Sequence, residues 1–447
     1  MLYNAGVIKH TSLEHLQKLT FALVVFFLPS NLFLKLATSY GYVNGILVDY
    51  LIPKLYLSDF FILGLLALWI IEKITLTKTS PAAEKTLTPK NESLFAKLFF
   101  ALGVFLSLHL LLHLSSPFFI STFWFSIKLL QMSTLFGFLY THTKILHSKQ
   151  TYIALATMII FQSVLAISQY ALQRPIFGYR ILGESELRVS PLIAKTKYFD
   201  GLKLLPYGTT PHPNVLAGIL TISLLLSTQF AVFQKAFQKK FVTLAFWIVG
   251  TATILLTQSL VSLLALFSAI LIFLTKSLRS SRKLFFIGAS ITVALAILIP
   301  VAVSALSART SSIDPNNSIE RRAMLQEISL KMFFKETFAG AGLNQFTTQV
   351  NSFGGVPAPI RFLQPVHNVG LLWFAETGLL GVVLVATTIF LFKDIGYNLY
   401  SGKTARIFRI IIPLIILSSL DHYLFSLQQG QLLATISLAF LLSKKEM

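Results

Sequence analysis

Apolar stretches alternate with short polar segments along almost the whole chain. A membrane-spanning helix needs ~20 predominantly apolar residues, and the pattern predicts twelve spans. The predicted spans are 18–37, 56–74, 94–114, 118–141, 151–173, 213–234, 241–257, 259–276, 284–305, 368–393, 407–424 and 429–443. The predicted fold class is therefore an all-α polytopic membrane protein that forms a single membrane domain over residues 1–447.

The composition supports a membrane location and excludes several kinds of chemistry. The mean hydropathy is +0.73 and only 12% of the residues are charged, whereas soluble domains carry roughly 25%. The chain has no cysteine, which excludes disulfides, thiolate catalysis and cysteine metal sites. A net charge of +20 would favour nucleic-acid binding in a soluble protein. Here the basic residues lie mostly between apolar stretches, so no nucleic-acid partner is expected.

The distribution of basic residues predicts the orientation of the spans. Lysines and arginines concentrate in alternate connections, such as 235–240 and 276–283, which all fall on one side if the spans are correct. The positive-inside rule makes that side cytoplasmic, so both termini are predicted to be cytoplasmic. Two long polar loops, 174–212 and 306–367, then fall on the extracytoplasmic side.

The first long loop ends in a turn-rich segment that leads into a span. Pro211 and Pro213 fix the backbone on either side of His212. Asn214 is expected to cap the following helix, and the first turn of that helix offers free N–H groups to an anion. The alternative interpretation is a plain turn with a solvated histidine.

The second long loop is predicted to contain a surface helix. Asn317 and Glu320 resemble a capping box, and apolar residues recur at every fourth position from Met324 to Met332. Arg321 and Arg322 lie on the polar sides of this helix. They are expected either to bind a substrate or to meet lipid headgroups.

Further ionisable residues lie where loops meet spans. His367 and Asn368 close the second long loop, and Glu376 follows inside the apolar stretch. A carboxylate at that depth is costly, which marks it as a functional residue or, with preference, as a helix-packing partner. Asp421 and His422 form another pair at the end of the eleventh predicted span. Neither a phosphate-binding glycine loop nor metal-ligand spacing is visible, so no cofactor and no metal are expected.

The order of these motifs resembles the O-antigen ligase/polymerase family of lipid-linked sugar transferases. The resemblance covers roughly residues 200–435, about half of the chain. The residues that carry it are Pro211–Ala217, Arg322–Phe346, His367, Asn368, Glu376, Gly378, Gly381, Asp421–Tyr423 and Gln429–Gln431.

This resemblance implies transfer of a glycan from a polyprenyl-diphosphate carrier to an acceptor hydroxyl at the extracytoplasmic membrane face. It also implies the all-helical membrane glycosyltransferase (GT-C-like) fold, a location in the cytoplasmic (inner) cell membrane, and, in the ligase branch, no metal or nucleotide. The partners implied are the lipid-linked donor, a sugar or protein hydroxyl as acceptor, and membrane lipids. Three acceptors stay open: a lipid-anchored core sugar, which is preferred, a growing glycan, or a protein side chain.

The resemblance also assigns roles to residues. His367 would be the general base and Arg322 would pair with the diphosphate. Family members often carry an arginine shortly before the Pro-Asn turn, and Leu205 occupies that place here. The residues expected to bind substrate are Arg321, His212, Asn214, Lys203, Asn368, Glu376, Asp421 and His422.

Two other classes of function fit parts of the pattern. A transporter or flippase fits the number of spans, and Glu376 keeps that possibility open. Against it, no repeat relates the two halves of the chain, as it does in many transporters. A purely structural membrane scaffold predicts mobile loops that tolerate insertions.

Overall fold

The protein is mainly helical. The computed structural model describes residues 2–79, 89–187, 193–198, 201–230, 240–277, 318–354, 363–400 and 404–443. The helices of the first half are α1 Leu2–Phe26, α2 Leu57–Thr79, α3 Pro89–Leu112, α4 Phe119–Thr141, α5 Thr143–Leu146, α6 Lys149–Leu172, α7 Tyr179–Leu182 and α8 Pro213–Ser227.

The second half continues the helical pattern. Its described helices are α9 Lys240–Leu256, α10 Leu260–Ser277, α11 Ser318–Lys335, α12 Phe346–Gly354, α13 Val369–Tyr400, α14 Thr404–Leu420, α15 Tyr423–Ser426 and α16 Gln428–Leu442. Helix α11 occupies the position where the spacing predicts a surface helix, and its Ile328 and Met332 are buried.

Short antiparallel strand pairs supplement the helices. Strands β1 Phe33–Lys35 and β4 Lys54–Tyr56 pair with Phe33 opposite Tyr56. Between them lies the hairpin of β2 Tyr42–Val43 and β3 Ile46–Leu47. Strands β5 Lys195–Tyr198 and β6 Gly201–Leu204 form a third pair in the first long loop. The prediction of an all-α protein therefore omits three two-stranded sheets in the described part of the chain.

Most predicted spans coincide with helices. The span 284–305 lies outside the described residues, and each of the others overlaps a described helix. By length and composition, three stretches of the described chain can cross a membrane: Leu94–Leu112, Thr143–Leu172 and Val369–Phe392. Shorter apolar helices occupy Pro213–Ser227, Phe246–Leu256, Leu260–Ile272 and Phe408–Leu420.

The first predicted span needs a correction. It was expected to run over 18–37, but α1 ends at Phe26 and residues 33–35 are a strand. Pro29 explains the early end, because a proline disfavours helical backbone in the residue before it and cannot donate its own hydrogen bond. The apolar residues that follow, such as Leu34 and Leu36, are exposed on the small sheet instead of continuing a helix.

Helix α8 forms the centre of the bundle. It packs against α6, α9, α10, α14 and α16. Apart from Asn214, all of its residues are buried. An apolar helix enclosed on every side is a rigid support, so the turn before Pro213 has a fixed position relative to the other helices.

The second long loop is anchored on an interruption of α13. Gly378 leaves helical geometry with φ 58°, which exposes backbone groups of the helix to the segment after α11. Leu379 N–H donates to Thr337 O over 2.8 Å, and Gly342 N–H donates to Glu376 O over 3.0 Å. Gly340 has φ +70°, and an added Cβ would lie 2.4 Å from the backbone of Glu376. The close approach therefore requires glycine there.

Glu376 completes this anchor. Its carboxylate is buried and accepts hydrogen bonds from the backbone N–H groups of Asn344, at 2.9 Å, and Phe346, at 3.1 Å. A buried carboxylate is tolerated when its oxygens are bonded in this way. Glu376 therefore holds the segment that connects α11 to α12.

We expect Glu376→Gln and Gly340→Ala to destabilise the protein by about 1–3 kcal/mol each. The amide of glutamine cannot accept both backbone hydrogen bonds, and a Cβ at residue 340 forces the two backbones apart. Thermal unfolding of the purified protein in detergent measures the effect. Gly103→Ala is the matched control, because nothing lies within 4 Å of its added Cβ. Equal unfolding temperatures for all variants would contradict the anchor.

Candidate active site

A polar cavity of about 530 Å³ lies where several helix ends meet. Its walls come from the segment between α1 and α2, the start of α4, the turn before α8, the start of α11, the segment before α13 and the connection from α14 to α16. The lining residues with charged or ring side chains are Asp49, Tyr50, Lys54, Tyr56, Trp124, Phe125, Lys128, His212, Arg321, Arg322, His367, Asp421, His422 and Tyr423. Segments far apart in sequence thus form one site.

Two arginines line one side of the cavity. Arg321 and Arg322 lie on the first turns of α11 and are half-buried. Helix α11, which carries both arginines, packs against α13. Arginine binds phosphate oxygens through paired donors and stays charged, which suits this side of the cavity to a phosphate group.

Two histidines and an aspartate cluster beside the arginines. One ligand atom each of His367, Asp421 and His422 lies within 4.8 Å of the others. The two rings meet edge to face at 5.0 Å between centroids. The Nδ1 atom of His367 is buried without a hydrogen-bond partner in the described part of the chain. A buried polar atom without a hydrogen bond is costly, so His367 Nδ1 is a candidate for hydrogen bonding to a ligand.

His212 begins α8, which corrects the expectation for Asn214. The His212 ring accepts the backbone N–H of Asn214 at 3.1 Å and acts as the helix cap. Because Nδ1 is an acceptor, the neutral ring carries its proton on Nε2. Asn214 lies in the first helical turn, and its amide donates to Asp421 Oδ2 at 3.4 Å. Prolines 211 and 213 leave only residue 212 with the extended backbone that a cap requires.

Burial and neighbouring charges keep the histidines neutral. Burial lowers the pKa of His367 to about 3, and interactions with His422 and Arg322 act in the same direction. Asp421 opposes this shift. The His212 ring is exposed within the cavity, yet the surrounding walls and Arg322 lower its pKa as well. A neutral imidazole can accept a proton, so the cluster is in the state that a base requires.

Tyr50 faces the same cluster from the N-terminal segment. Its ring lies edge to face with His422 at 5.7 Å, and its carbonyl accepts a hydrogen bond from Asn344 at 2.8 Å. Burial, followed by the charges of Asp421 and Asp49, raises the pKa of Tyr50. The phenol therefore stays protonated and keeps its hydroxyl as a hydrogen-bond donor.

Three residues expected to bind substrate lie outside the cavity lining. Lys203 is on β6, in register with Thr196 of β5. Asn368 caps α13, because its Oδ1 accepts Leu371 N–H at 3.0 Å, and its amide donates to Ser419 O at 3.1 Å. Glu376 holds the loop anchor. The structure thus brings Arg321, Arg322, His212, Asn214, His367, Asp421 and His422 together.

Sequence reasoning missed one whole wall of the cavity. Lys54 and Tyr50 come from the connection between α1 and α2, whose strands have no clear pattern in so short a segment. Trp124 and Lys128 come from α4. A signal for Lys128 existed, because a lysine inside an apolar span is a candidate for function by default.

The histidine–aspartate cluster also has the composition of a metal site. Two imidazoles and a carboxylate are ligands for zinc and similar cations. Ser426 donates to the His422 carbonyl at 3.2 Å, so the 2.6 Å contact to its Oγ is a donation from His422 Nδ1. This leaves the Nε2 lone pair open to a proton or a cation. The charge of Arg322 acts on the same cluster and opposes a second positive charge there.

Comparison with known families identifies the central part of the chain. The family model described as O-Antigen ligase matches residues 244–386. Residues 244–386 are therefore similar to the O-antigen ligase family. The resemblance predicted from the motifs is confirmed by this match. No curated protein matches the chain significantly.

The matched residues 244–386 contain part of the site, and the rest comes from other parts of the chain. Arg321, Arg322 and His367 lie within the matched residues, whereas His212, Asp421 and His422 lie outside them. The cavity therefore joins the family segment to the N-terminal half and to the last helices of the chain.

We expect the His367 ring to stay neutral well below the pH at which an ordinary histidine becomes charged. Of the two protonation states of imidazole, diethyl pyrocarbonate modifies only the neutral one. His367 should therefore react almost equally at pH about 7 and about 5, although an ordinary histidine has a pKa near 6.5. Mass spectrometry of the peptide around residue 367 measures the modification.

The variant Arg322→Gln tests whether the charge of Arg322 lowers the pKa of His367. Removing a positive charge that lowers the pKa of His367 should raise that pKa, so reactivity should decline at a higher pH than in the wild type. Lys331→Met, on the exposed side of α11, is the control and should change nothing. A wild-type midpoint near 6.5 would contradict this description of the cluster.

Proposed function

We propose that the protein transfers a glycan from a polyprenyl-diphosphate carrier to an acceptor hydroxyl, as an O-antigen ligase does. The family match supports O-antigen ligase/polymerase-type glycosyl transfer at the membrane. One observation carries the finer proposal: two arginines from α11 line the same cavity as His367, Asp421 and His422. A phosphate-binding side thus lies next to neutral bases.

The arginines bind and activate the leaving group in this proposal. As the bond between the sugar carbon and the diphosphate oxygen breaks, negative charge grows on the diphosphate. Arg322, with Arg321 beside it, is already positioned to stabilise that charge. Preorganised charge of this kind contributes about 3–4 kcal/mol to lowering a barrier in well-studied enzymes.

His367 accepts the proton of the acceptor hydroxyl. The acceptor oxygen then forms the new bond to the sugar carbon, and the polyprenyl diphosphate leaves. A free ring with a pKa of about 3 is a weak base. An anionic donor beside Arg322 cancels part of the charge that lowers this pKa, so His367 becomes more basic when substrate is bound.

The positions of the cavity walls support an extracytoplasmic site. The ends of α1, α14 and the starts of α2, α4, α8, α13 and α16 meet at the cavity. The twelve-span topology, with both termini in the cytoplasm, assigns these helix ends to the extracytoplasmic side. We therefore propose the inner membrane as the location, with the sugar above the lipid surface and the carrier chain beside the helices.

We expect His367→Ala and Arg322→Gln to lower glycan transfer by about 100-fold or more, because losing a general base typically costs 10²–10⁴ in rate. The assay supplies a polyprenyl-diphosphate glycan together with a lipid-anchored core sugar, a glycan or a peptide, and measures which acceptor gains sugar. His15→Ala and Arg180→Gln are controls on exposed residues outside the cavity. Transfer by both site variants at the wild-type rate would refute the site.

Chelation separates the arginine mechanism from a metal-dependent one. Because guanidinium groups supply the positive charge, we expect EDTA to leave transfer unchanged and elemental analysis to find no stoichiometric metal. Loss of transfer in EDTA with recovery on adding zinc or manganese would show that the His367–Asp421–His422 cluster binds a metal instead.

A further inference from the structure

Another wall of the cavity carries two buried lysines next to aromatic rings. We call Lys54, Tyr56, Trp124 and Lys128 the lysine wall. All four residues line the cavity. Trp124 Nε1–H donates to the carbonyl of Lys54 at 3.2 Å, which ties α4 to β4. The Lys128 ammonium lies 5.3 Å from the Trp124 ring centre and 5.7 Å from that of Tyr56.

Lys128 forms an ion pair with Asp59, a carboxylate that also accepts hydrogen bonds from two other groups. Asp59 is 1% exposed and accepts hydrogen bonds from Lys128, from Tyr56 N–H at 2.8 Å and from the Gln428 amide at 2.6 Å. These three donors come from α4, the segment before α2, and α16. Asp59 therefore fixes the position of the ammonium group.

The Lys128 ammonium retains unused donors. It has three N–H groups, and Asp59 is its one hydrogen-bond acceptor among the described residues. Its side chain lines the cavity and only 6% of the residue is exposed. A buried ion pair is often no more stable than apolar residues of the same size, so stability alone does not account for this pair.

Lys54 adds a second positive group to the same wall. Its ammonium pairs with Asp49, which also pairs with Lys35 at 2.9 Å. Lys35 lies outside the cavity lining. Counted with it, three lysines stand against the two carboxylates Asp49 and Asp59, so this group of charges is net positive. The aromatic rings exclude water from one side of the ammonium groups, which strengthens their attraction for an anion.

The lysine wall is electrostatically separate from the arginine side. Arg322 acts on His212, His367 and His422. The electrostatic partners of Lys54 are Asp49 and Lys35, and that of Lys128 is Asp59. Tyr50 lies between the two groups, since it interacts with both Asp421 and Asp49. An anion on one side therefore leaves the other side available.

We propose that the lysine wall is a second oxyanion subsite, in which Lys128 and Lys54 bind a phosphate or carboxylate of the substrate while the arginines bind the phosphate attached to the transferred sugar. This inference rests on the proposed function for the identity of the substrate. Two sources carry such an oxyanion: the far phosphate of the lipid diphosphate, or an acidic sugar of the transferred or accepting glycan. In either case Lys128 sets specificity and takes no part in proton transfer.

The test uses variants that leave no buried carboxylate without a positively charged partner. Lys128→Met alone leaves a buried carboxylate unpaired, so it is combined with Asp59→Asn in a double variant of similar volume. Lys128→Arg keeps the charge, and Lys331→Met removes an exposed lysine of α11 as the control. Thermal unfolding establishes that each full-length protein in detergent is folded.

Two probes distinguish the sources of the oxyanion. Polyprenyl diphosphate without sugar reports on the lipid phosphates, and glucuronate, compared with glucose, reports on an acidic sugar. We expect the double variant to bind one of the two anionic probes at least tenfold more weakly, and Lys128→Arg to restore most of the affinity. A loss for polyprenyl diphosphate assigns the wall to the donor, and a loss for glucuronate alone assigns it to an acidic sugar.

The proposal is overturned if the folded double variant binds both anionic probes like the wild type, or if it loses glucose binding equally. Failure of the proposed function gives a different result. In that case Arg322→Gln binds polyprenyl diphosphate like the wild type, whatever the lysine variants do. Because the two sets of variants act on separate walls, each outcome is assigned to one proposal.

Discussion

The docking of one loop onto an interrupted helix determines the geometry of the site. Gly378 opens α13, and the segment after α11 fills the gap through backbone hydrogen bonds that Glu376 completes. This contact adds to the packing of Phe333 on Phe374 that already joins α11 to α13. Helix α11 carries the two arginines of the cavity on its first turns. A carboxylate deep in an apolar helix thus holds the loop that follows the helix carrying Arg321 and Arg322.

Periodicity predicts elements whose neighbours all share one environment. The apolar spans and the amphipathic face of α11 follow from the sequence for this reason, because lipid or core contacts repeat along the whole helix. The motif order also identified the family, and it placed His367 and Arg322 among the candidate residues. The sequence also predicts a packing role for Glu376 in preference to catalysis, since a carboxylate in an apolar stretch requires a partner.

The features that the sequence does not predict depend on contacts between distant segments. The strands between α1 and α2 are two or three residues long, too short to show an alternation, so the contribution of Lys54 to the cavity has no local sign. The cap of α8 was assigned to Asn214 because asparagine is a frequent cap, whereas the two prolines select His212. The role of Lys128 depends on Asp59, which lies 69 positions away in the chain, so its neighbours in the sequence do not indicate this partner.

The bond between Gln428 and Asp59 joins the second helix of the chain to the last one. During synthesis the earlier helices enter the membrane long before α16 exists. The Asp59–Lys128 pair then lacks its third support, and the wall formed by α15 and α16 is missing. The cavity is therefore complete only once α16 is in place, because Gln428 and Gln431 of that helix line it.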